Sequence, residues 1–75
     1  MSDDVQYANL WAIHSEIDGR PAMADWAPSE EAADKRMAEL KASDPDQDRT
    51  KYWVMRMTVD EVESFKASGF IPADA

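Results

Sequence analysis

Tyr52-Trp53-Val54-Met55-Arg56-Met57-Thr58-Val59 runs without a break into Asp60-Glu61-Val62-Glu63-Ser64-Phe65-Lys66-Ala67-Ser68-Gly69-Phe70-Ile71-Pro72, and the join between the two runs sets the architecture. Apart from Arg56, the first run is β-branched, aromatic or methionine, the composition of a strand. Thr58 and Glu61 stand at capping-box spacing, where the hydroxyl accepts the N3 amide and the carboxylate accepts the N-cap amide. Met57 and Val62 occupy the N′ and N4 positions, so they can close as a hydrophobic staple. Gly69 sits where a left-handed closing residue belongs, Phe70 falls where its apolar contact would meet Phe65, and Pro72 blocks continuation. The spacing predicts a helix over 59–68 joined directly to a strand.

Upstream of that strand, residues 43–51 are polar and read as a loop, opened by Asp44-Pro45. Before the loop, Ser29 is a natural N-cap, with Glu30 and Glu31 favourably placed in the first turn. A helix over 30–42 follows, carrying a narrow stripe of Ala33, Met37 and Leu40 with Ala32 beside it.

The first third of the chain reads as a hairpin. From Val5 to Ile17 the residues alternate, with Tyr7, Trp11, Ile13 and Ile17 on one side and Leu10, Ala12, His14 and Glu16 on the other. Asp18-Gly19 suits a two-residue type I′ turn, whose central residues both need positive φ. The return strand covers 20–27, and Pro21, lacking an N–H, places it at a sheet edge. A two-residue turn pairs Ile17 with Arg20, Ser15 with Ala22, Ile13 with Ala24 and Trp11 with Trp26.

The expected fold is therefore α+β, a ββαβα domain over residues 1–75. Residues 1–4 are expected to be a frayed tail and 72–75 a short C-terminal tail. A helical crossover returns the third strand parallel to the second, so it sits beside the first in an antiparallel sheet of order 2-1-3. Trp53, Met55, Met57 and Val59 form the wholly apolar side of that strand and should meet the helices. Both helices are then expected on one face, with Trp11 and Trp53 inward together.

Composition narrows the chemistry. Sixteen acids face eight Lys plus Arg, a formal charge of −8. Such a chain is a poor nucleic-acid binder, because affinity for phosphates rests on basic residues releasing counterions. Anionic membrane surfaces are disfavoured for the same reason. There is no cysteine and one histidine, so no thiolate or imidazole metal cluster is available. No apolar run approaches the roughly 20 residues of a membrane span. The opening Met-Ser-Asp-Asp has neither the basic segment nor the apolar stretch of a secretory leader. The expected location is cytoplasmic.

The remaining motifs read as structural. Asp44, Asp46 and Asp48 evoke a calcium loop, but the sixth and twelfth positions hold Arg49 and Met55 instead of glycine and glutamate. His14 lacks a second positioned group and a pocket for proton transfer. Two glycines cannot build a phosphate loop. No catalytic residue, cofactor or metal is expected, and the chain does not read as an enzyme.

What remains is the sheet face expected to lie away from the helices. Leu10, His14, Glu16, Met23, Asp25, Tyr52, Val54 and Arg56 form the candidate partner-binding set, an apolar middle with charges at its margin, the anatomy of an interface. A small acidic non-catalytic interaction domain is the function expected, binding a protein partner or a second copy of itself. The alternative is an acidic inhibitor that occupies the basic surface of a nucleic-acid-binding protein. In size and charge alone, the chain resembles the small acidic phage proteins that act against restriction or CRISPR systems. Its acids are biased towards the hairpin: residues 1–28 hold five acids and one base, 29–51 seven and five, and 52–75 four and two.

Overall fold

The computed structural model describes residues 5–75; the expected frayed tail at 1–4 lies outside them. The chain forms β1 (Tyr7–Ile17), β2 (Arg20–Ala27), α1 (Glu30–Ser43), β3 (Thr50–Thr58) and α2 (Val59–Ser68). The sheet is antiparallel throughout, in the order β2-β1-β3, so the ββαβα arrangement with β1 at the centre stands.

Local chemistry explains each boundary. Asp18 and Gly19 take φ of 51° and 79°, the left-handed backbone that a type I′ turn requires at both central positions. Ser29 Oγ accepts the Ala32 amide at 3.1 Å and starts α1. At α2 the capping box is complete: Glu61 N–H donates to Thr58 Oγ1 at 3.1 Å, and Thr58 N–H donates to Glu61 Oε1 at 2.9 Å. Gly69 closes the helix at φ 87°. The Phe70 amide donates to the Phe65 carbonyl at 3.0 Å and the Gly69 amide to Lys66 at 3.2 Å, the two bonds of a Schellman ending. The rings of Phe65 and Phe70 stand 5.5 Å apart, as expected. Ile71, one residue on, is fully buried.

The helices do not share a face, which corrects the sequence-based expectation. Beneath α1, Ala33 packs with Ile13 and Ala27, flanked by Trp11, Met37, Leu40 and Val54. Beneath α2, Val62 and Ile71 pack with Leu10, Ala12 and Met57, flanked by Ala8, Met23, Trp26 and Phe65. Ala12 and Ile13 are adjacent on β1 and point to opposite sides, so the sheet separates two thin cores. The cause is the pairing between β1 and β3. His14 faces Trp53, Ile13 faces Val54, Ala12 faces Met55 and Trp11 faces Arg56. Paired residues lie on the same side of a sheet, so Trp11 and Trp53 are on opposite sides. Met57 points away from α1, and its staple with Val62 carries α2 to that side.

Two irregularities complete the sheet. Ile13 pairs with Asp25 but His14 with Met23, leaving Ala24 as a bulge on β2. The expected pairing of Trp11 with Trp26 is therefore replaced by Trp11 with Ala27, and Trp26 turns to the α2 side opposite Ala12. The bulge aims Asp25 at α1, where its Oδ2 accepts from Arg36 Nε at 2.7 Å. On the other side of β1 the ladder breaks between Tyr7 and Trp11. Arg56 fills the gap: its Nε donates to the Ala8 carbonyl and its guanidinium to Asn9 Oδ1, both at 2.8 Å. The guanidinium lies over the rings of Tyr7 and Trp11, at 6.0 and 5.3 Å.

Because Thr58 both starts α2 and ends β3, removing its hydroxyl loosens a join on which one core depends. Thr58→Ala is expected to cost about 1 kcal/mol of folding stability. Urea denaturation with an unchanged slope would show this, and a loss below a few tenths of a kcal/mol would contradict it.

Candidate functional site

A helix of 10 residues is about 15 Å long, whereas 11 residues of strand extend for about 36 Å. α2 therefore covers one end of its side of the sheet, over Leu10, Ala12 and Met57, and leaves the remainder open. That open area is built of cross-strand rows. Trp26 and Met55 flank the buried Ala12 in the first, the row at the margin of α2. Met23, His14 and Trp53 form the second, and Pro21, Glu16 and Lys51 the third.

The second row contains a stacked ring pair. The His14 and Trp53 rings stack at 5.5 Å with planes 15° apart. Met23, Trp26 and Trp53 are half-buried, while Met55 is 55% exposed and the next inward-facing residue of β3, Met57, is 1% exposed. The apolar side chains thus continue past the edge of the helix that would cover them. Glu16 and Lys51, directly opposite each other, supply a charged margin.

The eight residues expected to form one surface are divided by the observed register. His14, Glu16 and Met23 lie in the open area. Leu10 shares their side but is buried with Met57 and Val62. Asp25, Tyr52, Val54 and Arg56 face the α1 side. There Val54 packs against the Ile13 core, Asp25 holds Arg36, and Arg56 caps the ladder break. Tyr52 donates its hydroxyl to Asp44 Oδ2 at 2.7 Å. Trp26, Lys51, Trp53 and Met55 take the places that the sequence reading assigned to these four. One available signal pointed to three of them: ten residues of helix cannot shield the whole odd-numbered side of β3, which holds Lys51, Trp53 and Met55.

Asp44 and Asp46 of the 44–49 loop hold protein groups. Asp44 accepts from Tyr52 and, through Oδ1, from the Asp46 amide at 2.8 Å. Arg49 pairs with Asp18, which ties this loop to the hairpin turn. Among the described residues no group of three or more His, Asp or Glu side chains is arranged to hold a metal ion. A shallow cleft lined by Val5, Gln6, Thr58, Val59 and Asp60 lies at the junction of β3 and α2. No helix among the described residues is long and apolar enough to cross a membrane.

Tyr52 and the Asp46 amide hold the Asp44 carboxyl below the usual aspartate range, while Asp44 raises the Tyr52 phenol above its ordinary value. A depressed carboxyl contributes stability that is present above its unfolded pKa and is lost as pH falls through the folded one. The raised phenol works in the other direction, its share being lost as pH climbs above the ordinary tyrosine range. Tyr52→Phe should therefore move the Asp44 midpoint upward in carboxyl NMR titrations and blunt the acid-side loss of stability. An unmoved midpoint would show that the hydroxyl does not set it. No family model matches the chain, and neither a curated protein nor a solved structure matches it.

Proposed function

We propose that this chain is a small, acidic, non-catalytic interaction domain that binds a protein partner through the open part of the α2-side sheet face. The observation that carries the reading is that Met23, His14, Trp53, Met55 and Trp26 lie side by side on the α2 side of the sheet, with Met55 exposed and the other four only half-buried. Aromatic residues and methionine are enriched in interface cores, and charges belong at the rim, where Glu16 and Lys51 stand. Methionine suits such a surface because its unbranched, polarisable side chain adapts to the shape opposite. Stacking on Trp53 accounts for His14 without a catalytic role. The second reading, an acidic inhibitor of a nucleic-acid-binding protein, is supported by the net charge of −8. Against it, bases are interspersed with the acids: Arg36 pairs with Asp25 and Glu39, and Arg49 with Asp18 and Asp46.

Met55→Asp places a charge in the open area at a position already exposed to water, so the fold should survive. A partner that the wild-type chain retains should be lost by this variant, with affinity down about tenfold or more. It should be retained by Tyr7→Ser on the opposite side of the sheet. Equal retention by Met55→Asp and wild type would sink the reading. Concentration-dependent self-association abolished by the same change would identify the partner as a second copy. Binding whose affinity falls steeply with salt, and ignores Met55, would favour the inhibitor reading.

A further inference from the structure

The two edges of this sheet are built differently. β2 carries Pro21, which cannot donate to a neighbour, and the bulge at Ala24, which breaks the regular spacing. Both devices discourage a further strand from pairing there. β3 has neither: Thr50–Thr58 is nine residues without proline or glycine, and all its strand pairing is with β1. Its break in register with β1 is taken up by extra residues on β1, so β3 itself stays regular. Among the described residues, no backbone hydrogen bond from outside the sheet reaches the segment Lys51–Met57. Alternate N–H and C=O groups along an edge strand point outward, where water or another strand must satisfy them.

Charge distinguishes this edge further. β3 holds Lys51 and Arg56 and no acid. Every other element has at least as many acids as bases: β1 has Glu16, β2 one of each, α1 four acids and three bases, α2 three acids and one base. In a chain of net charge −8, the unguarded edge is the one element among the described residues with a basic excess. We propose that the free edge of β3 receives an extended, acidic segment of a partner protein as a fourth strand. Backbone hydrogen bonds supply the pairing, and a carboxylate near one end meets the exposed Lys51, while Arg56, held towards β1 by Ala8 and Asn9, adds its charge to the same strand. Residues of the added strand that face the α2 side extend the rows of Trp53 and Met55. Strand addition of this kind draws affinity from the main chain and specificity from alternate side chains. A second copy is the poorer occupant, because its β3 would bring another Lys51 and Arg56 to a basic edge, and its β2 would bring Pro21 and the bulge.

The inference deepens the interaction reading, and rests on it for the apolar side of the added strand. Its test uses the whole chain, labelled with nitrogen-15, and a capped nine-residue peptide of alternating valine and threonine with two glutamates at each end. A matched peptide carries lysines in place of the glutamates. Expected are amide shifts and slowed amide exchange along Lys51–Met57 but not along Arg20–Ala27. Affinity for the glutamate peptide should exceed that for the lysine peptide by about tenfold and weaken with salt. Lys51→Glu, at an exposed site, should weaken the glutamate peptide roughly fivefold with the circular dichroism unchanged. The inference is overturned by shifts along β2 instead, by indifference to peptide charge, or by no shift at peptide concentrations of about 2 mM. It is also overturned if the free chain already pairs through β3 as a dimer. Shifts at His14, Trp26 and Met55 side chains without changes in β3 amides would remove the edge and leave the face. Shifts of β3 amides that persist unchanged in Met55→Asp would remove the face and leave the edge.

Discussion

His14 lies opposite Trp53, and from that pairing the side taken by every other residue of β3 follows. Strand side chains alternate strictly, so a slip of one residue between β1 and β3 would exchange the two sides of β3 completely. With the observed pairing, Val54 joins the core under α1 and Met57 joins the core under α2. Arg56 is brought against Trp11, where it can satisfy the carbonyl left free by the ladder break. The division of the apolar residues into two thin layers is a consequence of this one alignment.

Thin layers leave little to spare. Among the described residues eight are buried, three of them alanines, and the large side chains that are fully buried are Ile13, Met57 and Ile71. A chain of this size has little apolar area with which to offset the entropy of ordering. Leaving Met55 exposed and Trp53 half-buried in such a protein therefore forgoes stabilisation that a longer second helix would provide. That imbalance is what favours the proposal that the open area receives a partner.

Much of the fold was legible because its signals are local. The Thr58–Glu61 box, the Gly69 closing residue, the Ser29 cap and the Asp18-Gly19 turn each involve residues a few positions apart, and each forms as read. Strand order was legible too, since a helical crossover leaves few alternatives. The candidate surface was only partly legible, with His14, Glu16 and Met23 placed correctly near one another and Tyr52, Val54, Asp25 and Arg56 sent to the far side. A two-residue turn fixes a hairpin register, but nothing of the kind spans the crossover between β2 and β3. Nor did the run Met23-Ala24-Asp25 announce its bulge; Asp25 turns towards Arg36 of α1, a partner 11 positions away.

His14 and Trp53 are 39 positions apart, while Ile17 and Arg20 are separated by a two-residue turn. Closing the longer span costs more chain entropy and is repaid only once distant contacts form. The hairpin can zip from its turn within microseconds, whereas β3 must wait for α1 to carry it back across the sheet. During that interval the central strand is itself an unpaired edge, with Leu10, Ala12 and Ile13 uncovered on both sides. The newly made chain is thus most exposed to aggregation just before its last strand arrives, and whatever shortens that wait protects it.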